Sequence, residues 1–434
     1  MLVVVMAFGV LTACGASEET TDAPAAEGDQ ITIRLLTRMA GSTTQVQIFN
    51  DILNEIKELH PEVKIIDDSQ SDEGAFNNIL STDIASGSMA NIFRIQGVAN
   101  LGEYIDNGLI LDLKPYLEED AEWGNGFAEG NLKYYQVPGK DGIYAAPMEG
   151  GIVPMFYNKD LLADAGFDHF PETWNELLDC VAALKANGII PIAMGAQSTY
   201  MVGHLHNHIF YKWLGTEAAK ELGAKNKKRT DPDVLETIEK VKELIDAGAF
   251  DPAAAGLTDE LAMTQFQQGQ AAMVITGVWN IGNFNDPAET PVSASIDVAK
   301  FPYFEEKPEF KDEDMAVSSP YMVNGKLEGK ELELTLELLK MLTSAEAAER
   351  FAQEAAFYLP RTDIELDPEV CSQLFIKTIE LSGTSTGVAC DVFDFDPITS
   401  MQDRTRNSLM SLFTGAEPEA VAAEIQNEVD NNTK

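Results

Sequence analysis

Strands and helices alternate from residue 31 onward, and this alternation constrains the fold more than any other feature of the chain. Residues 31–36 are apolar and β-branched, as in a buried strand. Apolar residues then recur at helical spacing from Val46 to Leu59, Pro61 ends the helix, and a second strand follows at 63–66. Because two parallel strands need a crossover connection, this order predicts an α/β fold.

The same rhythm continues along the chain, which has 434 residues. Further helices are predicted at 171–186, 231–247, 331–342 and 345–356, and further strands at 190–194, 271–276 and 296–299. We therefore expect parallel sheets with crossover helices. Since so long a chain exceeds what one hydrophobic core usually supports, we also expect two lobes.

The charge balance is strongly acidic, with 30 Lys and Arg against 71 Asp and Glu and a net charge of −41. Such a surface repels phosphate backbones, which argues against nucleic-acid binding. It also repels anionic membrane surfaces, so membrane attachment would need a covalent lipid or an inserted segment. Anionic solutes are the least favoured ligands on this ground. The one basic run, at 225–229, is interpreted as a solvated loop.

The N-terminus indicates export. Residues 2–11 are apolar, as in a signal peptide, but fall short of the roughly 20 residues that span a bilayer. They end in Leu11-Thr12-Ala13-Cys14-Gly15, which resembles a bacterial lipobox, although no Lys or Arg precedes the apolar run. We interpret residues 1–14 as a lipoprotein signal peptide with lipidated Cys14; a plain signal peptide is the alternative.

A tether is expected to follow the lipid. Residues 15–30 are rich in Ala, Glu, Thr and Pro and hold too little apolar surface to fold. We therefore expect the protein to be lipid-anchored at the extracellular face of the cytoplasmic membrane, on a Gram-positive-type cell surface or in a periplasm.

Cysteine and histidine give no sign of a metal or a cofactor. The sequence has no CxxC spacing. Cys371 and Cys390 could form a disulfide outside the cell if their geometry allows it. His204, His206 and His208 form an unusual cluster, but no Cys or further His nearby completes a zinc site. We expect ordinary surface or ligand-facing histidines.

No catalytic motif is present: the chain lacks a phosphate-binding loop, a GxSxG elbow and an HExxH pair. A pair of carboxylates in a cleft would suit glycoside hydrolysis, but with 71 acidic residues the sequence cannot single out such a pair. A secreted glycoside-active enzyme therefore stays open as one alternative to a binding protein.

Several segments, in order, resemble the family-1 extracellular solute-binding proteins, the group that includes maltose-binding protein. The clearest is Tyr157-Asn158-Lys159-Asp160-Leu161. The other matching segments are 58–63, 83–87, 90–93, 104–116, 171–177, 266–282 and 358–361. Each is weak alone, and the order and spacing carry the resemblance from about residue 30 to the end. Asn91 stands where the family commonly has Asp, and 204–213 matches no consensus, which leaves the exact ligand in doubt.

The resemblance implies an α/β, two-lobed periplasmic-binding-protein fold of type II with the ligand in the cleft between the lobes. Lobe 1 would comprise 30–146 and 297–341, and lobe 2 would comprise 147–296 and 342–434. The implied function is capture of a sugar, expected to be an oligosaccharide, by a monomer that passes it to ABC transporter permease subunits. A non-sugar solute such as a metal chelate or a polyamine is the alternative within the family.

The resemblance also suggests which residues bind the ligand. Trp279 follows a predicted strand on a loop opened by Gly277, where its ring could stack on the apolar face of a sugar. The other candidates are Glu149 at the first crossing between lobes, Arg38 and Ser42 in the first ligand loop, Tyr321, and Tyr358 at the last crossing. A carboxylate such as Glu149 can accept hydrogen bonds from two hydroxyls and so orient a sugar.

Overall fold

A computed structural model describes residues 30–433, apart from 98, 100, 128, 138 and 399. The predicted signal peptide, Cys14 and the tether before residue 30 lie outside the described residues, and they stay predictions.

The described part of the chain contains ten strands and eighteen α-helices in alternation. The strands are β1 (Ile31–Leu36), β2 (Val63–Asp67), β3 (Ile92–Phe93), β4 (Ala146–Ile152), β5 (Met155–Asn158), β6 (Ile190–Ala193), β7 (Ala271–Ile275), β8 (Ile296–Ala299), β9 (Glu313–Val323) and β10 (Gly387–Ala389). The helices are α1 (Thr44–Leu59), α2 (Glu73–Ser86), α3 (Gly102–Asp106), α4 (Lys114–Glu119), α5 (Ala121–Asn125), α6 (Glu129–Tyr134), α7 (Lys159–Asp164), α8 (Trp174–Ala186), α9 (Tyr200–Leu214), α10 (Glu217–Gly223), α11 (Pro232–Ala247), α12 (Asp259–Gln267), α13 (Ile281–Asn285), α14 (Gly329–Leu342), α15 (Ala345–Ala355), α16 (Gln373–Gly383), α17 (Met401–Met410) and α18 (Pro418–Asn432). The predicted α/β class is confirmed.

The first sheet has the strand order β10-β9-β3-β1-β2, and β4 also pairs with β9. Strand β1 is parallel to β2 and β3, as the sequence predicted. Strand β9 is antiparallel to β3 and β4, so the prediction of parallel sheets is wrong here. The reason is connectivity: β9 arrives from β8 of the other sheet through a loop instead of over a crossover helix.

The second sheet has the order β6-β7-β5-β8. It is also mixed, because β5 is antiparallel to both β7 and β8, while β6 and β7 are parallel. Each sheet is covered by helices and has its own large apolar cluster. Two sheets with separate cores are what a two-lobed chain requires.

The lobe boundaries at named residues stay a prediction. Helix α15 lies in the segment that the sequence-based division assigns to lobe 2, yet its Phe351 belongs to the apolar cluster of the first sheet, together with Phe49 of α1. This packing favours a last crossing near Tyr358, close to the end of α15, over one at residue 341.

Helix α9 runs through the core of the second sheet, with residues 201–213 all buried. Because all faces of α9 are buried, α9 is an interior helix and presents no side to solvent. The expectation of surface histidines is therefore wrong, since His204, His206 and His208 are at most 5% exposed. Burial lowers the pKa of His204 to about 4, and burial lowers that of His206 and of His208 to about 3, so all three are neutral at pH 7.

Two further expectations need correction. The basic run at 225–229 is not a solvated loop, because Arg229 is buried, its backbone N–H donates to Gln426 Oε1 at 2.7 Å, and Lys225 pairs with Asp396. Cys371 and Cys390 are both buried free thiols and form no disulfide.

Candidate ligand-binding site

Glu149 lies where β4 pairs with β9, opposite Ser319. The register shifts between Pro147 and Glu149, and such a bulge re-aims the side chain that follows it. Glu149 is buried; its Oε2 accepts a hydrogen bond from Ser319 Oγ at 3.0 Å, and its Oε1 has no partner among the described residues. Burial raises the pKa of Glu149, and the charge of Arg94 opposes that shift.

Arg38 lies in the loop that follows β1 and is half-buried. Its Nη2 donates to the carbonyl oxygen of Ser71, and its guanidinium lies 5.9 Å from the centre of the Phe76 ring. Burial lowers the pKa of Arg38, and the positive charge of Arg94 lowers it further. Ser42, the other candidate in this loop, is exposed, and the one contact recorded for it is a hydrogen bond from Gln47 to its carbonyl oxygen.

Trp279 follows β7 and is half-buried against the core of the second sheet. Its ring covers Gly277: a Cβ on that glycine would lie 2.0 Å from the Trp279 ring. The sequence therefore needs glycine here to let the indole fold back beside the strand end. The ring centre is 6.2 Å from that of His204 on α9. A half-buried indole can stack on an apolar ligand surface through the part of its ring that stays exposed.

The starts of α9 and α12 add Tyr200, His204 and Asp259, which the sequence did not single out as a group. The Tyr200 ring meets His204 edge-on at 5.3 Å, and Tyr200 Oη donates to Asp259 Oδ2 at 2.8 Å. Tyr200 and Asp259 also interact electrostatically with Arg38. Nδ1 of His204 is buried without a partner among the described residues. Arg38 of the first sheet thus faces an aromatic and acidic wall of the second.

The two candidate tyrosines occupy different positions. Tyr321 is 2% exposed and packs in the apolar cluster of the first sheet, under the cleft wall. Tyr358 is half-buried, and a Cβ on Gly151 would lie 3.6 Å from its ring and 3.8 Å from Val278. Tyr358 is therefore beside both the β4 crossing and the turn that carries Trp279.

Arg94 is the main site residue that the sequence reasoning missed. It comes directly after β3, is half-buried, and donates from Nη2 to Gln96 Oε1 at 3.0 Å. Its charge acts on Glu149 and Arg38. The position of Arg94 could have indicated it from the sequence, because ligand-binding residues of α/β proteins follow the carboxyl ends of strands and β3 ends at Phe93.

A polar network joins the two parts of the molecule beside this wall. Arg406 of α17 lies 3.0 Å from Glu73 of α2 and 3.5 Å from Asp391. Asn207 of α9 donates to Asp391 at 2.6 Å. Because these residues come from helices of both sheets, they fix how the two halves meet at this edge of the cleft.

The fold and this arrangement define a class: a two-lobed α/β binding protein of the type II periplasmic kind, similar to maltose-binding protein, with its ligand cleft between the lobes. The model of the family described as "Bacterial extracellular solute-binding protein" matches residues 40–349. The chain belongs to this family, as the sequence resemblance indicated.

Individual relatives are more distant. A binding protein of Brucella abortus is 29% identical over 197 residues, which cover 45% of this chain and 46% of that protein, so the chain matches less than half of its length. The multiple sugar-binding protein of Streptococcus mutans is 22% identical over 282 residues, 62% of this chain and 61% of that protein.

Solved structures share the fold over nearly the whole chain. A chitin oligosaccharide binding protein superposes with a TM-score of 0.87 at 23% identity, covering 94% of this chain and all of that one. A Streptococcus pneumoniae solute-binding protein in complex with the blood group A-trisaccharide superposes with a TM-score of 0.73 at 18% identity, covering 92% and 100%. At these identities the likeness establishes the fold alone.

The described residues include neither a helix that could span a membrane nor a cluster that could hold a metal ion. None of their helices is long and apolar enough to cross a membrane. None of their His, Cys, Asp and Glu side chains form a group of three or more that could hold a metal ion.

Proposed function

We propose that this protein captures a carbohydrate in the cleft and passes it to the permease of an ABC importer, without transforming it. The observation that carries the proposal is the pairing of the half-buried Trp279 ring on one wall with the incompletely bonded Glu149, Arg38 and Arg94 on the other. A sugar offers an apolar ring face and a rim of hydroxyls, and this site offers a partner to each.

The relatives support a sugar over other solutes. The names of two of the similar proteins refer to sugars, and a third is described with a bound trisaccharide. A polyamine would need free carboxylates at the ligand, whereas the charges that act on Glu149 are those of two arginines, and Glu73 is paired with Arg406. A metal chelate is the other solute considered, and no described residue favours it. An enzyme would need a second reactive carboxylate beside Glu149.

We further propose that Cys14 carries the lipid that holds the protein at the outer face of the cytoplasmic membrane, and that the protein works as a monomer. The support is the Leu11–Gly15 sequence and the weakly apolar stretch that follows it. With a net charge of −41, the folded part would not adhere to an anionic membrane by itself.

A thermal-shift screen against mono- and oligosaccharides tests the sugar proposal. A ligand that binds only the native state at 100 times its Kd stabilises it by about 2.7 kcal/mol, which a melting curve resolves. We expect at least one saccharide to raise the melting temperature, and polyamines and metal chelates to leave it unchanged. If a polyamine or a metal chelate raised the melting temperature and no saccharide did, the proposal would be wrong.

A further inference from the structure

Arginines in this chain almost always have an acidic partner. The sequence has eight arginines, and six of them have a carboxylate oxygen within 4.0 Å: Arg34, Arg229, Arg350, Arg361, Arg404 and Arg406. Within the described residues, the remaining two have none, and these two are Arg38 and Arg94. In a chain with 71 acidic residues, these two half-buried arginines differ from the other six in having no ion-pair partner among the described residues.

The two guanidinium groups are close enough to repel each other. The charge of Arg94 is the largest influence on the pKa of Arg38 after burial, and it lowers that pKa. Each group makes one hydrogen bond to a neutral oxygen, Arg38 to Ser71 and Arg94 to Gln96. Because a guanidinium has five N–H donors, most of their hydrogen-bonding capacity is unused.

The nearby carboxylates are already engaged. Glu73 attracts Arg38 but pairs with Arg406 at 3.0 Å, and Asp259 accepts hydrogen bonds from Tyr200 and Ser198, both at 2.8 Å. Glu149 is attracted by both arginines, yet it lies beyond ion-pair distance of either. Within the described residues, no carboxylate therefore forms an ion pair with Arg38 or Arg94, although Glu149 and Asp259 lie close enough to act on them electrostatically.

We propose that the sugar bound here carries a carboxylate, as a uronic acid does, and that Arg38 and Arg94 bind it. This inference rests on the proposed function and narrows its ligand class. A carboxylate matches the planar fork of a guanidinium, offers both arginines the ion-pair partner that they lack among the described residues, and relieves the repulsion between them. A neighbouring sugar hydroxyl then donates to Glu149 Oε1, which has no other partner among the described residues.

The acidity of the whole chain does not oppose this inference. Exposed charges are screened beyond about 8 Å at physiological ionic strength, whereas groups inside a cleft act at contact distance with little screening. The net charge of −41 therefore slows the approach of an anion, and the local pair of arginines determines whether it stays bound.

Calorimetry with matched ligands tests the inference. The probes are disaccharides that contain glucuronate, galacturonate or mannuronate, each compared with its own methyl ester, which keeps the shape and removes the charge. We expect at least one acid to bind about tenfold more tightly than its ester, the size of one charge-assisted contact. Arg38→Gln and Arg94→Gln should bring this ratio close to one. Arg404→Gln, at a half-exposed arginine paired with Glu424, is the matched control and should preserve it.

Three results would overturn the inference. If esters or neutral sugars bind and the acids bind no better, the ligand is a neutral sugar, and the proposed function stands. If no saccharide of either kind binds, the proposed function fails together with the inference. If the preference for the acid survives in both arginine variants, with melting curves that show them folded, other groups recognise the carboxylate.

Discussion

At the scale of single residues, several polar groups at the cleft have few or no hydrogen-bond or ion-pair partners among the described residues. Glu149 Oε1 and His204 Nδ1 are buried without a partner among the described residues, and Arg38 and Arg94 lack an acidic one. A buried polar group without a hydrogen bond costs about 1–3 kcal/mol. Polar groups that lack a partner in a binding cleft are expected where stability is given up for binding.

Gly277 provides a residue-scale prediction. Its φ of −97° suits any residue, so a change to alanine strains no backbone angle. The added Cβ would, however, meet the Trp279 ring at 2.0 Å and displace it. We expect Gly277→Ala to bind the cognate sugar at least about tenfold more weakly by calorimetry, with a stability loss of ~1–3 kcal/mol typical of overpacking.

Gly256→Ala is the matched control, because nothing lies within 4 Å of its added Cβ. It should bind as the wild type does. Wild-type affinity in a folded Gly277→Ala variant would mean that the position of the indole does not matter to the ligand.

Only some of the site residues could be predicted from sequence. Trp279 and Arg38 stand in segments placed by order along the chain, and the structure puts both at strand ends near other candidate residues. Arg94, Tyr200 and Asp259 were missed because their relevance depends on which loops meet across the cleft. Periodicity and spacing report on local structure, and they carry no information on contacts between loops that are distant in sequence.

At the scale of elements, the helices and strands that the sequence predicted are found within a few residues of their predicted bounds, but the longest strand, β9, and the long helices α2 and α18 were not predicted. Helix α8 begins at Trp174 and not at 171, because Thr173 and Glu176 form a capping box. The short helices α3 to α6 were not predicted, since five or six residues give too little periodicity. The burial of α9 was missed because its polar residues, including Lys212 and Asn207, are buried in pairs with Asp314 and Asp391.

The segment between β10 and α17 provides an element-scale prediction. Asp394 is buried and accepts a hydrogen bond from Tyr134 at 3.1 Å. Burial raises its pKa to about 8, the charge of Asp391 adds to this shift, and the charge of Arg406 opposes it. Since the folded state then binds a proton that the unfolded state releases above about pH 4, this group's contribution to stability is lost as the pH rises from about 4 to 8.

We expect Asp394→Asn to remove that part of the pH dependence. Denaturant unfolding at pH 5 and pH 8.5 measures it: the variant should gain stability relative to the wild type at the higher pH. Asp403→Asn, at an exposed position on α17, should follow the wild-type profile. Parallel profiles for wild type and Asp394→Asn would show that Asp394 does not titrate in this range.

At the scale of the whole molecule, length and rhythm predicted an α/β chain with two cores, but not the mixed sheets. Strand β9 pairs with β3, β4 and β10, and so collects segments more than 200 residues apart. Such pairings depend on how the chain returns from one lobe to the other, which local patterns do not encode. The resemblance to a family supplied the two-lobed topology that periodicity could not.

The attachment of the whole molecule gives another prediction. Cys14→Ala should abolish labelling by a fatty-acid analogue in growing cells and release the protein into the medium or the periplasm, because two acyl chains are what holds a lipoprotein at the membrane. Equal labelling of wild type and variant would contradict lipidation at Cys14. Cys180→Ala, at a buried thiol, is the control that should keep its label.

We expect the two lobes to close around the bound ligand. A solute shifts the balance between open and closed states only by its differential affinity for them, so it must contact both halves. Arg38 with Arg94 on one side and Trp279 on the other are the contacts we propose. The closed shape is then what a permease would recognise.

Calorimetry on Trp279→Ala with the sugar found in the screen tests the central claim most directly. Loss of a buried aromatic anchor typically costs ~2 kcal/mol or more, so we expect the Kd to rise about thirtyfold. Tyr303→Ala, which removes a half-buried aromatic ring stacked on Lys311 outside the cleft, should leave the Kd unchanged. An unchanged Kd for a folded Trp279→Ala variant would contradict both the position of the sugar and the role of the cleft described here.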